Sequence, residues 1–170
     1  MNINSFFHNG VEVRRCHRAK PKSGTAQLYC SQGGMSISEQ PIFVSVTRRT
    51  TREIKTSYRP NRNGRGGCVN YKDIPYFGDI PCHIAVYEAW VGERTPGMQI
   101  DHINGVATDN RACNLQEVTP EENMRRARYI RALRELMPHH YQTYEHEDYL
   151  RFFAMPFDEF KAMLNQFKND

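Results

Sequence analysis

The chain has 170 residues, 39% of them hydrophobic and 25% charged, with a net charge of +4. That length suits about one domain with an appendage, and the composition favours neither a disordered nor a membrane class. No window reaches the roughly 18 apolar residues of a spanning helix, and the start lacks the basic-then-apolar pattern of a signal peptide, so a cytoplasmic protein is expected.

The charge is unevenly placed. Residues 1–137 carry 20 Lys or Arg against 13 Asp or Glu, whereas residues 138–170 carry 3 against 6. Only the first part is built for a polyanion. The five cysteines, Cys16, Cys30, Cys68, Cys82 and Cys113, form no Cys-x-x-Cys pair and are odd in number, which points to reduced thiols rather than a zinc knuckle or a disulfide framework.

In chain order, a short basic run (Arg14, Arg15, Arg18, Lys20, Lys22) comes first. The β-branched and aromatic residues from Pro41 to Tyr58 predict strands, and the Asn- and Gly-rich stretch Asn61–Gly67 predicts a hairpin loop. Arg48, Arg49, Arg59, Arg62 and Arg65 make this region the expected contact to a DNA backbone, a solvated loop being the plainer alternative. A short strand is expected at Cys68–Tyr71. Ile84, Tyr87 and Val91, three and four residues apart, predict a helix over 81–90 that Gly92 stops.

The alternation of Met98–Ile103 predicts a half-buried strand, and Leu115–Val118 offers it a short partner across a compact turn-rich loop. Thr119 is then a good N-cap, with Pro120 at the first helical position and Glu122 placed to complete a capping box. Apolar residues at helical spacing carry this helix to Pro138. In the acidic tail, Phe157, Phe160, Leu164 and Phe167 describe an amphipathic helix, with a shorter one before Pro156. Its apolar face suits core packing or self-association.

The strand, loop, strand, helix order gives the polar residues of this segment a purpose. Asp101 and His102 end one strand, Asn114 begins the next, and Asn123 falls in the first turns of the helix, so the four can converge on one side of a hairpin packed against a helix. Hydrolysis of a phosphodiester needs a base for water and a divalent cation to neutralise charge on the phosphate. An imidazole, with an unperturbed pKa of about 6.5, serves as that base near neutral pH. Asp101 and Asn123 supply hard oxygen ligands suited to magnesium or manganese, and Asn114 is suited to orienting His102. Arg125 and Arg126 follow Asn123 directly, where a phosphate held by the metal would lie. Taken singly, Asp101 reads more simply as a turn cap and His102 as a bonded strand histidine, and the asparagines suit turns or a helix surface; the ordered set is what points to chemistry.

The stretch resembles the HNH endonucleases, in particular the phage intron-encoded homing type, through Asp101-His102-Ile103-Asn104-Gly105, Asn110-Arg111-Ala112-Cys113-Asn114-Leu115 and Val118-Thr119-Pro120-Glu121-Glu122-Asn123. The upstream His83–Gly92 is similar to a helix of that family, with Ile84 where the family usually has Arg. The similarity covers about residues 81–128. By this resemblance Asp101 and Asn123 correspond to ligands of one magnesium or manganese ion, His102 to the general base and Asn114 to the residue that positions it. It also implies products with 5′-phosphate and 3′-hydroxyl ends.

The expected fold class is therefore α+β, a ββα-metal nuclease core at 79–137 preceded by a basic β-rich DNA-binding region at 1–78 and followed by an acidic helical tail at 138–170. The expected partner is double-stranded DNA, with self-association possible through the tail and no membrane. The alternative is a catalytically silent DNA-binding or phage-assembly protein on the same scaffold.

Overall fold

The computed structural model describes residues 4–17, 27–55, 57–60, 67–70, 81–141 and 143–167. The chain is mixed α+β and divides by its contacts into two compact units: residues 1–94 with 107–115, and residues 95–106 with 116–170. This division cuts differently from the boundaries expected above. The tail falls in one unit with the strand and helix that carry Asp101, His102 and Asn123.

The first unit is built on an antiparallel meander of five strands in sequence order: β1 (Ser5–His8), β2 (Val11–Arg15), β3 (Gln27–Cys30), β4 (Phe43–Val46) and β5 (Thr51–Ile54). The β1–β2 hairpin turns on Asn9 and Gly10, both at positive φ (51° and 80°), with His8 opposite Val11. That is the backbone a two-residue hairpin requires, and Asn-Gly adopts it at little cost. β3 and β4 are buried along most of their length. Val13, Tyr29 and Val44 pack with Phe6, Ile42 and Val46 in one cluster. Strand alternation sends Leu28 and Cys30 to the other face, where the Cys30 thiol donates to Ala85 O of helix α1 (Cys82–Trp90) at 3.7 Å.

The expected strands at 41–58 are present as β4, β5 and β6 (Ser57–Pro60), and β6 pairs antiparallel with β7 (Gly67–Asn70). These two strands bracket residues 61–66, so the expected loop tip, with Arg62 and Arg65, lies outside the described residues. Arg48 and Arg49 sit exposed at the β4–β5 turn, which Thr47 closes by accepting from Thr50 N at 3.0 Å. Of the cysteines among the described side chains, Cys16, Cys30 and Cys82 are buried and Cys113 is exposed.

In the second unit β8 (Gln99–His102) pairs with β9 (Leu115–Val118), and helix α2 (Pro120–Leu136) follows. Thr119 caps α2 by accepting from Glu122 N at 3.1 Å. The reciprocal half of the expected capping box does not form. Both Glu122 oxygens are instead taken by guanidinium groups, Arg125 at 2.6 and 2.8 Å and Arg126 at 2.6 Å, and charge-assisted bonds outcompete a neutral N–H.

Helices α3 (His146–Ala154) and α4 (Phe157–Phe167) break at Pro156, as the sequence predicts. Tyr149, Phe153, Phe160 and Leu164 form one buried cluster with Tyr129, Ile130 and Leu133 of α2 and with Ile103. Tyr129 fixes the arrangement by donating its hydroxyl to Met155 O at 2.6 Å and meeting the Phe153 and Phe157 rings edge-on. Much of the tail's apolar surface is thus buried inside its own unit, while Leu150 and Phe167 are 44% and 60% exposed. No helix among the described residues is long and apolar enough to cross a membrane.

Candidate active site

Asp101 and His102 close β8, and the turn after them is set by Gly105. Its φ of +68° suits glycine, its N–H donates to His102 O at 2.8 Å, and a Cβ there would meet Ile130 Cγ2 at 2.5 Å. Glycine therefore lets the chain leaving His102 turn while lying directly against α2. Asn104 supports the turn by accepting from Val106 N at 2.9 Å.

Across from β8, one stripe of α2 presents Asn123, Ala127, Ile130 and Arg134, as a 3.6-residue period requires. Together with Asp101, His102 and Gly105 these residues line a cavity of about 310 Å³, flanked by Arg126 and Arg131. Of the sequence-predicted residues, Asp101, His102, Asn123 and Arg126 are brought together here.

The polar groups around the cavity are specifically oriented. Asn123 Nδ2 donates to Gln99 Oε1 at 2.6 Å, so its amide oxygen is the end available to a ligand. Arg126 is gripped at Nε by Glu122, while its Nη1 lies 3.9 Å from Asp101 Oδ2, an ion pair too long for a hydrogen bond. That Nη1 is buried and has no hydrogen-bond partner among the described residues. Burial pushes the Asp101 carboxyl up to about 6, against the pull of Arg126 and of a His102 backbone bond. Two neighbouring guanidiniums, Arg125 foremost, hold Glu122 down at about 2.

Arg125 is turned elsewhere. It bonds Glu122, donates to Phe153 O at 2.7 Å and reaches the Tyr129 hydroxyl at 3.3 Å, which fastens α2 to α3. Asn114 belongs to the first unit, fully buried, where Nδ2 donates to Asp109 O at 2.8 Å. Asp109 is itself the acceptor for Arg111 at 2.7 and 2.8 Å and for Gln40 at 3.0 Å. Arg111 also donates to Met35 O. This buried pair was not singled out from the sequence, although the one-residue spacing of Asp109 and Arg111 lets the two side chains meet.

Asp101 and Asn123 offer one carboxylate and one amide oxygen, a hard donor set that fits magnesium or manganese. Among the described residues no group of three or more His, Cys, Asp or Glu is placed to hold a metal ion. The remaining ligands of a cation here would have to be water or substrate oxygens. Size alone does not select this site: a larger cavity of about 820 Å³ lies beside Trp90, where Arg14 stacks at 4.0 Å, and first-unit residues alone line it.

Residues 81–125 match the family model described as HNH endonuclease. The matched segment runs from α1 through β8 and β9 into α2 and includes Asp101, His102, Asn114 and Asn123. It supports a nuclease-type core, a hydrolase acting on nucleic acid. No curated protein and no solved structure gives a significant match to the chain.

Proposed function

We propose that the protein is a divalent-metal-dependent DNA endonuclease in which His102 is the general base and Asp101 and Asn123 hold one magnesium or manganese ion. The observation that carries this reading is the meeting of Asp101, His102 and Asn123 on one 310 Å³ cavity inside a segment that matches the HNH endonucleases. When bound there, a divalent cation supplies charge neutralisation at the phosphate and the leaving oxygen.

The chain's own residues do the rest. His102 takes a proton from a water molecule whose oxygen attacks phosphorus. The bond to the 3′ oxygen breaks, leaving a 5′-phosphate, and the departing oxygen gains a proton to become a hydroxyl. Arg126 Nη1, buried and unbonded, donates to a non-bridging oxygen of the same phosphate as charge builds on it. Asn114 acts as a positioning residue through the loop that it ties to Asp109 O. The exposed Arg48 and Arg49, with Arg59, Arg62 and Arg65, contact the duplex backbone. The narrower form of the reading, a phage homing-type enzyme working in the cytoplasm of an infected cell, rests on the motif pieces named at the outset.

Incubation of supercoiled plasmid with the protein and magnesium or manganese tests the proposal. Nicked or linear product that needs the cation and disappears in Asp101→Ala is expected. DNA binding without cleavage under both metals would instead make the protein a silent binding module.

A further inference from the structure

Five arginines stand on α2, and their surroundings divide them sharply. Arg125 is bonded to Glu122, Phe153 O and Tyr129. Arg126 is held by Glu122 beside Asp101. The Arg128 guanidinium lies over the Phe157 ring at 4.5 Å. Arg134 donates to Gly105 O at 2.5 Å and sits 5.4 Å from the Tyr141 ring centre. Arg131 is exposed, lines the same cavity as Asp101 and His102, and its side chain makes no hydrogen bond, ion pair or ring contact among the described residues.

Helix geometry places Arg131 usefully. Taking the Asn123, Ala127, Ile130 and Arg134 stripe as the cavity wall, 100° per residue puts Arg126 and Arg131 on opposite flanks of it. They are separated along the axis by five residues, about 7.5 Å. A duplex strand carries its phosphates about 3.4 Å apart along its own axis, so the two flanks span about two phosphate steps. Two nearby phosphates of one strand can therefore be held at once, one from each flank.

Resting on the endonuclease reading above, we infer that Arg131 is a substrate-binding residue that grips a phosphate neighbouring the scissile one on the cleaved strand, while Arg126 addresses the scissile phosphate. With Arg126, Arg131 and Arg134 all on its lining, the cavity then fixes the register of the backbone. An unpaired arginine on an exposed flank is otherwise a solubilising side chain. What sets this one apart is its place on the cavity wall.

The test compares Arg131→Gln with Arg128→Gln, which removes the same charge from the Phe157 side of the helix. Steady-state cleavage with magnesium and binding titrations across a salt series are measured for both. Arg131→Gln is expected to raise KM roughly tenfold with a much smaller fall in kcat, and to reduce the salt slope of binding by about 0.9. Arg128→Gln should leave the slope within error of wild type, and Arg131→Lys should restore most of the lost slope. Equal slopes for Arg131→Gln and Arg128→Gln would overturn the inference, as would an unchanged KM in Arg131→Gln. If His102→Ala abolishes cleavage in the same series, such a result removes Arg131 alone; if His102→Ala cleaves normally, the endonuclease reading itself fails.

Discussion

The polar residues of one short motif behave in opposite ways in the two units. In the first, Asp109, Asn110, Arg111 and Asn114 are all buried, at 0, 3, 6 and 0% exposure, and their charges and amides are bonded to one another or to the main chain. In the second, Asp101 is desolvated yet only loosely paired, Asn123 turns its oxygen end outward, and Arg126 keeps a buried nitrogen unbonded. The first set holds a loop; under the proposed function the second set is open to a ligand. The contrast falls within 26 consecutive residues, Asp101 to Arg126.

The comparison predicts opposite responses to removing charge. Arg111→Ala strands the fully buried Asp109 carboxylate and should destabilise the protein by about 3–5 kcal/mol, seen as a large fall in thermal midpoint. A change within about 0.5 kcal/mol, the usual range for surface substitutions, would show that the loop does not depend on the pair.

Asp101→Asn should do the reverse. The carboxyl is raised from 3.8 to about 6 by burial, so the folded chain binds the proton more tightly than the unfolded one. That preference is fully present below pH 3.8 and lost as pH rises through 6, leaving the ionised group a burden at neutrality. In metal-free buffer at pH 7 the amide should therefore stabilise by up to about 3 kcal/mol, and the gain should vanish by pH 4. The same variant should lose magnesium-supported cleavage. A midpoint below that of wild type at pH 7 would mean that Asp101 is a structural group like Asp109.

Gly105→Ala is a test of placement. Positive φ and the close approach of Ile130 should cost about 1–3 kcal/mol and shift the chain that follows His102. Cleavage should fall further than stability alone explains, measured well below the midpoint. Unchanged activity would separate the turn from the chemistry.

The smallest effect concerns Glu122, whose carboxyl is held at about 2 chiefly by Arg125. Its contribution is present above pH 4.5 and lost as pH falls towards 2. Glu122→Gln should melt lower by about 1 kcal/mol at neutral pH, with the difference shrinking in acid.

Much of the second unit was legible in sequence because its signals are local. The alternation of Met98–Ile103, the Thr119-Pro120 start and the Phe160, Leu164 spacing each report one element, and each element is present. The first unit was read less well. The β1–β2 hairpin was missed although Asn9-Gly10 is a strong two-residue turn signal, and β3 is too short to show a period. Side-chain commitments were the least legible part. Nothing in the run of arginines along α2 tells that Arg125 fastens helices together while Arg131 stands on the cavity, because the partners, Phe153 O and the β8 turn, are 28 and more than 25 positions away. The failed half of the capping box has a local cause instead: Arg125 and Arg126, three and four positions on, take both Glu122 oxygens.

The central claim is that His102 performs chemistry rather than holding the fold or the DNA. Single-turnover cleavage and equilibrium DNA binding of His102→Ala, measured side by side in magnesium, address it directly. Cleavage lower by about 10²-fold or more, with the dissociation constant and thermal midpoint near wild type, is predicted. Near-wild-type cleavage, or a loss of cleavage fully matched by lost affinity, would contradict it.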